Sequence, residues 1–227
     1  MQSILDKAFN TDMAARYDSS RAHMQPLKDA LHWQMQALFA SLPEDAHLLC
    51  VGAGTGEELL YLARAFPGWH FTLVDPAAAM LARCQQKAQQ QGIAQRCTFF
   101  SGYLHDMPDT TPFDAATSIL VSHFILAAAE RLAYYQHIAR RLKPGAIMIN
   151  ADLCWDLQAD SFKDICLQWQ ALHQQAGLHT DTSYLGKQVA VASPQQMQAL
   201  LTAAGFANCI PFYQAMLICG WYSRKSP

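Results

Sequence analysis

The sequence lacks the features that would direct it to a membrane or to a nucleic acid. No run of apolar residues is long enough to span a bilayer, although 52% of the 227 residues are hydrophobic. Only 15% of the residues are charged, the net charge is −2, and lysine and arginine form no run. Because a nucleic-acid surface needs clustered cations, a nucleic-acid partner is not expected. The length and the apolar content fit one domain with a substantial core.

The seven cysteines are scattered, with no C-x-x-C pair and no even spacing. This pattern favours neither a disulfide framework nor a zinc site, so no metal is expected. It predicts reduced thiols in the cytoplasm, with Cys50 and Cys219 in the core because each lies in an apolar run. Residues 1–7 contain an early acid and no apolar segment, so no signal peptide is expected.

The most informative segment runs from Leu48 to Gly56, where an apolar strand enters three glycines at alternate positions. Glycine lets the backbone turn sharply and lets a ligand lie against bare main chain. An apparent helix begins at Glu57, and a strand, a glycine turn and a helix N-terminus together predict a nucleotide cradle. Tight packing between strand and helix is the alternative interpretation of these glycines.

Asp75 ends the next apolar strand, about 20 residues beyond the loop, where a carboxylate can hold a ribose diol. Capping of the helix that follows is the alternative role.

Strands and helices alternate as far as Asp152, which predicts a parallel sheet with helices on both faces. Helices are predicted at 27–42, 57–66, 77–90, 130–142 and 155–177, and one begins at Ser193-Pro194. Strands are predicted at 47–51, 70–75, 97–100, 113–121, 146–151, 208–213 and 215–222. The last two strands are joined too tightly for a helical crossover, so we expect them to pair antiparallel.

Together these segments resemble the class I S-adenosylmethionine-dependent methyltransferases over nearly the whole chain. The motifs are Val51–Gly56, Phe71–Asp75 with Met80-Leu81 downstream, Arg141–Gly145, and the two closing strands. The resemblance implies an α/β fold: a three-layer, Rossmann-like, seven-stranded sheet, mostly parallel with an antiparallel last strand. It also implies a single domain over 1–227, with an N-terminal helical lead-in at 1–43 and a helical lid insert at 153–192.

The glycine spacing, G-x-G-x-G, fits an adenosine that carries an amino-acid tail better than the pyrophosphate of a dinucleotide. The resemblance therefore implies S-adenosylmethionine as cofactor. The residues expected to bind it are Tyr17, Gly52, Ala53, Gly54, Gly56, Asp75, Pro76, Met80, Leu104 and Val121. Many relatives also carry an acid after the third strand that holds the adenine amino group. Here Tyr103 stands at that position, with Asp106 as an alternative.

His123 and Asp152 are the catalytic candidates. His123 directly follows the fourth strand and Asp152 ends the fifth, so both lie at the edge where the methyl group would be transferred. Either could act as a base if the acceptor must lose a proton. The alternatives are a core or surface histidine and a helix cap or loop acid.

The function expected from the resemblance is methyl transfer from S-adenosylmethionine to a small molecule, without a membrane partner. A carboxy-S-adenosylmethionine synthase of tRNA modification is an alternative, disfavoured because residues 153–215 contain no arginine. The second alternative is a protein that binds the cofactor without catalysing a reaction. The apolar helix at 155–177 could provide a homodimer surface. Its aromatic and apolar side chains, Trp155, Phe162, Trp169 and Leu172, are interpreted as buried core or as a substrate lid.

Overall fold

The computed structural model describes residues 9–227, so the first eight residues of the predicted lead-in lie outside the described residues. Seven strands form a single sheet. They are β1 (His47–Val51), β2 (His70–Asp75), β3 (Cys97–Ser101), β4 (Phe113–Ile119), β5 (Leu142–Leu153), β6 (Phe206–Ala215) and β7 (Ile218–Lys225). Their order across the sheet is β3-β2-β1-β4-β5-β7-β6.

The strand directions follow the predicted pattern. The pairs among β1 to β5 are parallel, and β7 runs antiparallel to both of its neighbours. The carboxyl ends of β1, β2, β4 and β5 therefore meet at one edge of the sheet, where a doubly wound fold places its ligands.

Seven α-helices lie within the described residues. They are α1 (Thr11–Ser20), α2 (Gln25–Phe39), α3 (Glu57–Ala65), α4 (Ala78–Gln90), α5 (Ala128–Arg140), α6 (Phe162–Gln175) and α7 (Pro194–Ala203). None of these helices is long and apolar enough to cross a membrane.

Side chains of β1 alternate between two apolar clusters, one on each face of the sheet. Leu48 and Cys50 belong to the cluster that contains side chains of α2, α3 and α4. Leu49 and Val51 belong to the cluster that contains side chains of α5 and α7. A strand that is covered on both faces has a continuous apolar sequence, and this is why β1 could be predicted from the sequence. The predicted three-layer fold is thereby confirmed, and Cys50 and Cys219 are buried as expected.

The insert after β5 differs from the prediction at its start. The predicted helix at 155–177 begins only at Phe162 and ends at Gln175. Asp156 explains the delay, because its side chain accepts a hydrogen bond from the amide of Gln158 and its carbonyl accepts one from Ala159. Such local bonds favour a turn over a helix. Trp169 is buried in the core cluster, and Trp155, Phe162 and Leu172 pack against that cluster, which supports the core interpretation.

Two local signals mark the end of α4 and the start of α7. Gly92 follows α4 with φ of +68°, a left-handed conformation that favours glycine after a helix. Ser193 caps α7, with its hydroxyl accepting from the Gln196 amide at 3.2 Å while the Gln196 side chain accepts from the Ser193 amide at 2.8 Å. Each bond supplies an acceptor for a backbone amide that the N-terminus of a helix would otherwise leave unpaired.

We predict that Ser193→Ala lowers the free energy of unfolding by about 1 kcal/mol, because it removes one half of this reciprocal cap. Ser161→Ala is the matched control, since Ser161 precedes α6 without a capping side-chain hydrogen bond. Urea unfolding of both variants measures the difference, and equal losses in the two variants would contradict the capping role.

Candidate functional site

The loop between β1 and α3 depends on three glycines with left-handed backbone. Gly52, Gly54 and Gly56 have φ of +75°, +53° and +80°. The amides of Gly52 and Ala53 both donate to the carbonyl of Val74, at 2.8 and 3.1 Å. The loop is therefore fixed to the end of β2.

Two of these glycines are needed for packing. A Cβ atom on Gly52 would overlap the side chain of Val121, and one on Gly56 would overlap the thiol of Cys84. At Gly54, by contrast, the nearest atom to such a Cβ would be the Met80 methyl carbon at 3.8 Å. Tight packing thus accounts for Gly52 and Gly56, whereas Gly54 leaves room for a ligand against the main chain.

Asp75 connects this loop to the turn that precedes α4. Its Oδ2 accepts from the amide of Gly54 at 2.7 Å, and its Oδ1 accepts from the amide of Ala77 at 2.8 Å. The side chain is only 7% exposed, and this burial raises the pKa of the carboxyl, although both hydrogen bonds lower it. The bond to Ala77 is a local turn of the kind expected from the capping alternative. Because a carboxylate has about four acceptor positions, two remain for a ligand.

The lead-in helix α1 lies against the same region. Tyr17 packs with Met80 in a small apolar cluster. Its neighbour Asp18 accepts from the Thr55 hydroxyl in the glycine loop at 2.6 Å and pairs with Lys87 of α4 at 2.5 Å. These contacts attach α1 to the glycine loop and to α4.

His123 and Asp152 form a buried pair at the carboxyl ends of β4 and β5. Ile119 of β4 pairs with Ala151 of β5, so the residues that follow are brought together. Nδ1 of His123 lies 2.5 Å from Oδ1 of Asp152. Asp152 is 1% exposed and His123 is 9% exposed. Asp152 is part of β5 itself, which excludes the helix-cap and loop-acid alternatives.

Hydrogen bonds keep the Asp152 carboxylate charged. Oδ2 accepts from the Ser122 hydroxyl at 2.6 Å and from the His123 amide at 3.1 Å, and Oδ1 accepts from the Leu153 amide at 2.9 Å. Burial raises the pKa of Asp152, but the attraction of His123 and these bonds outweigh burial and lower it overall. A carboxylate at Nδ1 favours the tautomer that carries its proton there, which leaves Nε2 as an acceptor.

The backbone between β4 and this pair has an unusual conformation. Leu120 has φ of +58°, although it is not glycine, and its amide donates to the carbonyl of Ala151 at 2.7 Å. Left-handed backbone at a residue with a side chain costs about 1–2 kcal/mol. It occurs one residue before Val121, whose side chain packs on Gly52. Val121, which packs on Gly52, and Ser122, which donates to Asp152, therefore connect the glycine loop to the His123–Asp152 pair.

The segment after β3 contains the remaining predicted residues. Leu104 is buried and starts a short 3₁₀ turn that ends at Asp106. The ring of Tyr103 stacks on that of His105, with centroids 5.4 Å apart. Pro76 lies between Asp75 and the turn into α4. The structure thus brings Tyr17, Asp75, Met80 and the glycines together, while Leu104 belongs to the apolar cluster that contains Val51 and Val74.

Sequence reasoning missed several polar partners in this region. Asp18 contacts Thr55 across 37 residues, and the Thr117 hydroxyl donates to a buried Glu58 at 2.5 Å across 59 residues. Burial raises the pKa of Glu58. No local spacing signals such contacts, although Ser122 could have been suggested by its position beside His123.

We predict that Asp152→Asn lowers the free energy of unfolding by about 2 kcal/mol at pH 7, because charge-assisted hydrogen bonds are lost. The pKa of Asp152 in the folded protein lies below the ordinary 3.8. Asp152 therefore contributes to the free energy of unfolding above pH 3.8, and this contribution disappears as the pH falls through the folded pKa. The deficit of the variant should therefore shrink below about pH 4. Asp160→Asn, at an exposed aspartate, is the control. Urea unfolding from pH 7 to pH 2.5 measures both, and a constant deficit would contradict the assignment.

Comparison with known proteins identifies the central part of the chain. Residues 48–145 match a family model described as a methyltransferase domain. An uncharacterized protein of Synechococcus is 28% identical over 149 residues, which cover 60% of this chain and 35% of that protein. The chain thus spans about a third of the length of this curated relative.

Solved structures share the fold at low sequence identity. The mitomycin 7-O-methyltransferase MmcR superposes with a TM-score of 0.63 at 20% identity, covering 83% of this chain and 50% of that one. A SAM-dependent methyltransferase of Methanosarcina mazei gives a TM-score of 0.64 at 17% identity, covering 84% and 97%. Residues 48–145 therefore match a methyltransferase domain, and the chain shares its fold with methyltransferases of known structure.

Proposed function

We propose that this protein transfers the methyl group of S-adenosylmethionine to a hydroxyl oxygen of a small molecule. The observation that carries the proposal is the His123–Asp152 pair, which lies beside the glycine loop and has the arrangement of an oriented general base. The name of MmcR, an O-methyltransferase with the same fold, is consistent with this acceptor type.

The residues around the glycine loop fit the cofactor. At Gly54 an added Cβ would meet only the Met80 methyl carbon, at 3.8 Å, so a ligand can approach the main chain there. The Asp75 carboxylate keeps two acceptor positions for the ribose hydroxyls. Pro76 and Met80 would flank the adenine, with the Leu104 backbone and Val121 alongside. Tyr17 would cover this group from the lead-in, and Gly52, Ala53 and Gly56 would shape the loop around the methionine part. When bound, the cofactor supplies a methyl group already activated on a sulfonium.

The chain's own contribution is to orient the acceptor, exclude water and remove a proton. Nε2 of His123 would accept the hydroxyl proton of the acceptor as its oxygen becomes a nucleophile. The Asp152 carboxylate would stabilise the imidazolium that results, in the way a buried carboxylate supports histidine in other enzymes.

An aromatic contact covers the base from the lead-in side. The ring of Phe124 lies 4.1 Å from that of His123, and Phe9 packs edge-on against Phe124 at 5.6 Å. The apolar wall that they form would hold water away from His123 and suits an acceptor with an apolar body.

The choice of a hydroxyl acceptor follows from the need for a base. A carboxylate is already charged at neutral pH and needs no base, whereas a hydroxyl must lose its proton in the reaction. All seven cysteines are free, which supports our proposal that the protein works in the reducing cytoplasm.

A homodimer through α6, where Leu167 is exposed, stays a prediction.

We predict that Asp75→Ala abolishes cofactor binding, because the ribose hydroxyls lose their acceptor. S-Adenosylmethionine or S-adenosylhomocysteine at 100 times its Kd should stabilise the wild-type protein by about 2.7 kcal/mol in a thermal-shift series, and NAD should not. Asp75→Asn, which keeps one acceptor oxygen, separates a lost ligand contact from a disrupted loop and should bind about tenfold more weakly. Asp45→Asn, at the opposite edge of the sheet, is the control. An unchanged response of Asp75→Ala would reject the ribose assignment.

We predict that His123→Gln lowers the rate of methyl transfer to a hydroxyl acceptor by about 10²–10⁴-fold and leaves cofactor affinity unchanged. A panel of phenols and alcohols with isotopically labelled S-adenosylmethionine supplies the measurement. His70→Gln, at the amino edge of β2, is the control. Full activity of His123→Gln, or a wild-type protein that methylates only thiols or carboxylates, would contradict the proposed base.

A further inference from the structure

A chain of buried hydroxyls lies behind the His123–Asp152 pair. The Tyr135 hydroxyl donates to Oγ of Ser122 at 3.1 Å, and that Oγ donates to Oδ2 of Asp152 at 2.6 Å. Tyr135 is fully buried and Ser122 nearly so. The three residues come from α5, from the turn after β4 and from β5, so the chain joins elements that are distant in sequence.

The direction of these bonds is fixed by the available protons. Ser122 has one hydroxyl proton, which it gives to the charged carboxylate, so its lone pairs are free to accept from Tyr135. Hydrogen bonds in such a chain polarise one another, and this makes the donation by Ser122 stronger.

We propose that Tyr135 is a positioning residue that acts through Ser122 to fix the orientation and charge distribution of the Asp152 carboxylate holding His123. The role in catalysis rests on the proposed function, whereas the role in setting the proton affinity of His123 does not require it. Helix α5 thereby contributes to the site although none of its side chains contacts the reacting atoms in this account.

The sign of the effect follows from the charge on Asp152. A donor to the carboxylate disperses its negative charge, so removing a donor makes the carboxylate a stronger base and a better partner for imidazolium. The apparent pKa of the pair should therefore rise, and it belongs to the pair because the two groups are coupled.

Other titratable groups face this pair within the described part of the chain. Tyr134 and Arg131 lie on α5 near Tyr135, Cys154 lies just beyond the end of β5, and Cys219 of β7 pairs in register with Asp152. A useful control must leave these groups in place while it removes a comparable hydroxyl.

Tyr134 supplies that control. Its hydroxyl lies 2.7 Å from Oγ of Ser118 and makes no hydrogen bond with Ser122 or Asp152. Its ring packs edge-on against that of Tyr135 at 5.1 Å. Tyr134→Phe and Tyr135→Phe therefore remove the same atom from neighbouring positions, and only the second interrupts the chain.

The test measures the pKa of His123 by NMR titration of the protein without cofactor or acceptor, with the His123→Gln spectrum to assign its signals among the nine histidines. We expect Tyr135→Phe to raise this pKa by at least about 0.5, a threefold change in proton affinity. Ser122→Ala should raise it as well, and Tyr134→Phe should leave it unchanged. Where transfer is measurable, Tyr135→Phe should reduce the rate at pH 6 more than at pH 8.

A double-mutant cycle tests whether the effect passes through Ser122. Tyr135→Phe should cause no further shift in the Ser122→Ala background. A wild-type pKa in Tyr135→Phe, an equal shift in Tyr134→Phe, or a full additional shift in the double variant would each overturn the inference. Should Tyr135→Phe fail to fold, Ser122→Ala decides alone, and an unchanged pKa overturns it. If the shifts occur but no acceptor is methylated, the positioning role stands and the proposed function fails.

Discussion

The carboxylate of Asp75 holds together the region on which the rest of the site depends. By accepting from the Gly54 and Ala77 amides, it joins the loop after β1 to the turn after β2. The glycine loop in turn sets the position of Val121, which packs on Gly52. An anion that is almost buried is costly unless donors surround it, so the loop conformation and the charge of Asp75 stabilise each other.

The catalytic proposal relies on a second consequence of the sheet order. Residues 119 and 151 are distant in sequence, yet β4 and β5 are parallel neighbours, so the residues that follow them meet at one edge. That edge also carries the glycine loop, because β1 is adjacent to β4. The fold therefore places the His123–Asp152 pair and the glycine loop side by side, and the buried hydroxyls of Ser122 and Tyr135 support the pair from the interior.

Local features of this protein could be predicted from the sequence, and contacts across the fold could not. The glycine loop, the stop at Gly92 and the cap at Ser193 depend on a few consecutive residues with defined backbone preferences. The sequence also places His123 and Asp152 at the correct edge, but their pairing requires the register of two strands. The partnership of Tyr135 with Ser122 was not predictable, because helical periodicity shows that a tyrosine faces inward without showing which hydroxyl it meets.

A crystal structure of the protein with bound S-adenosylhomocysteine tests the central claim most directly. The account predicts that both ribose hydroxyls lie within hydrogen-bond distance of the Asp75 carboxylate, about 2.5–3.0 Å. It also predicts that the sulfur faces the cleft that Nε2 of His123 borders. A nucleoside bound elsewhere on the protein, or one at this edge with its ribose away from Asp75, would contradict it.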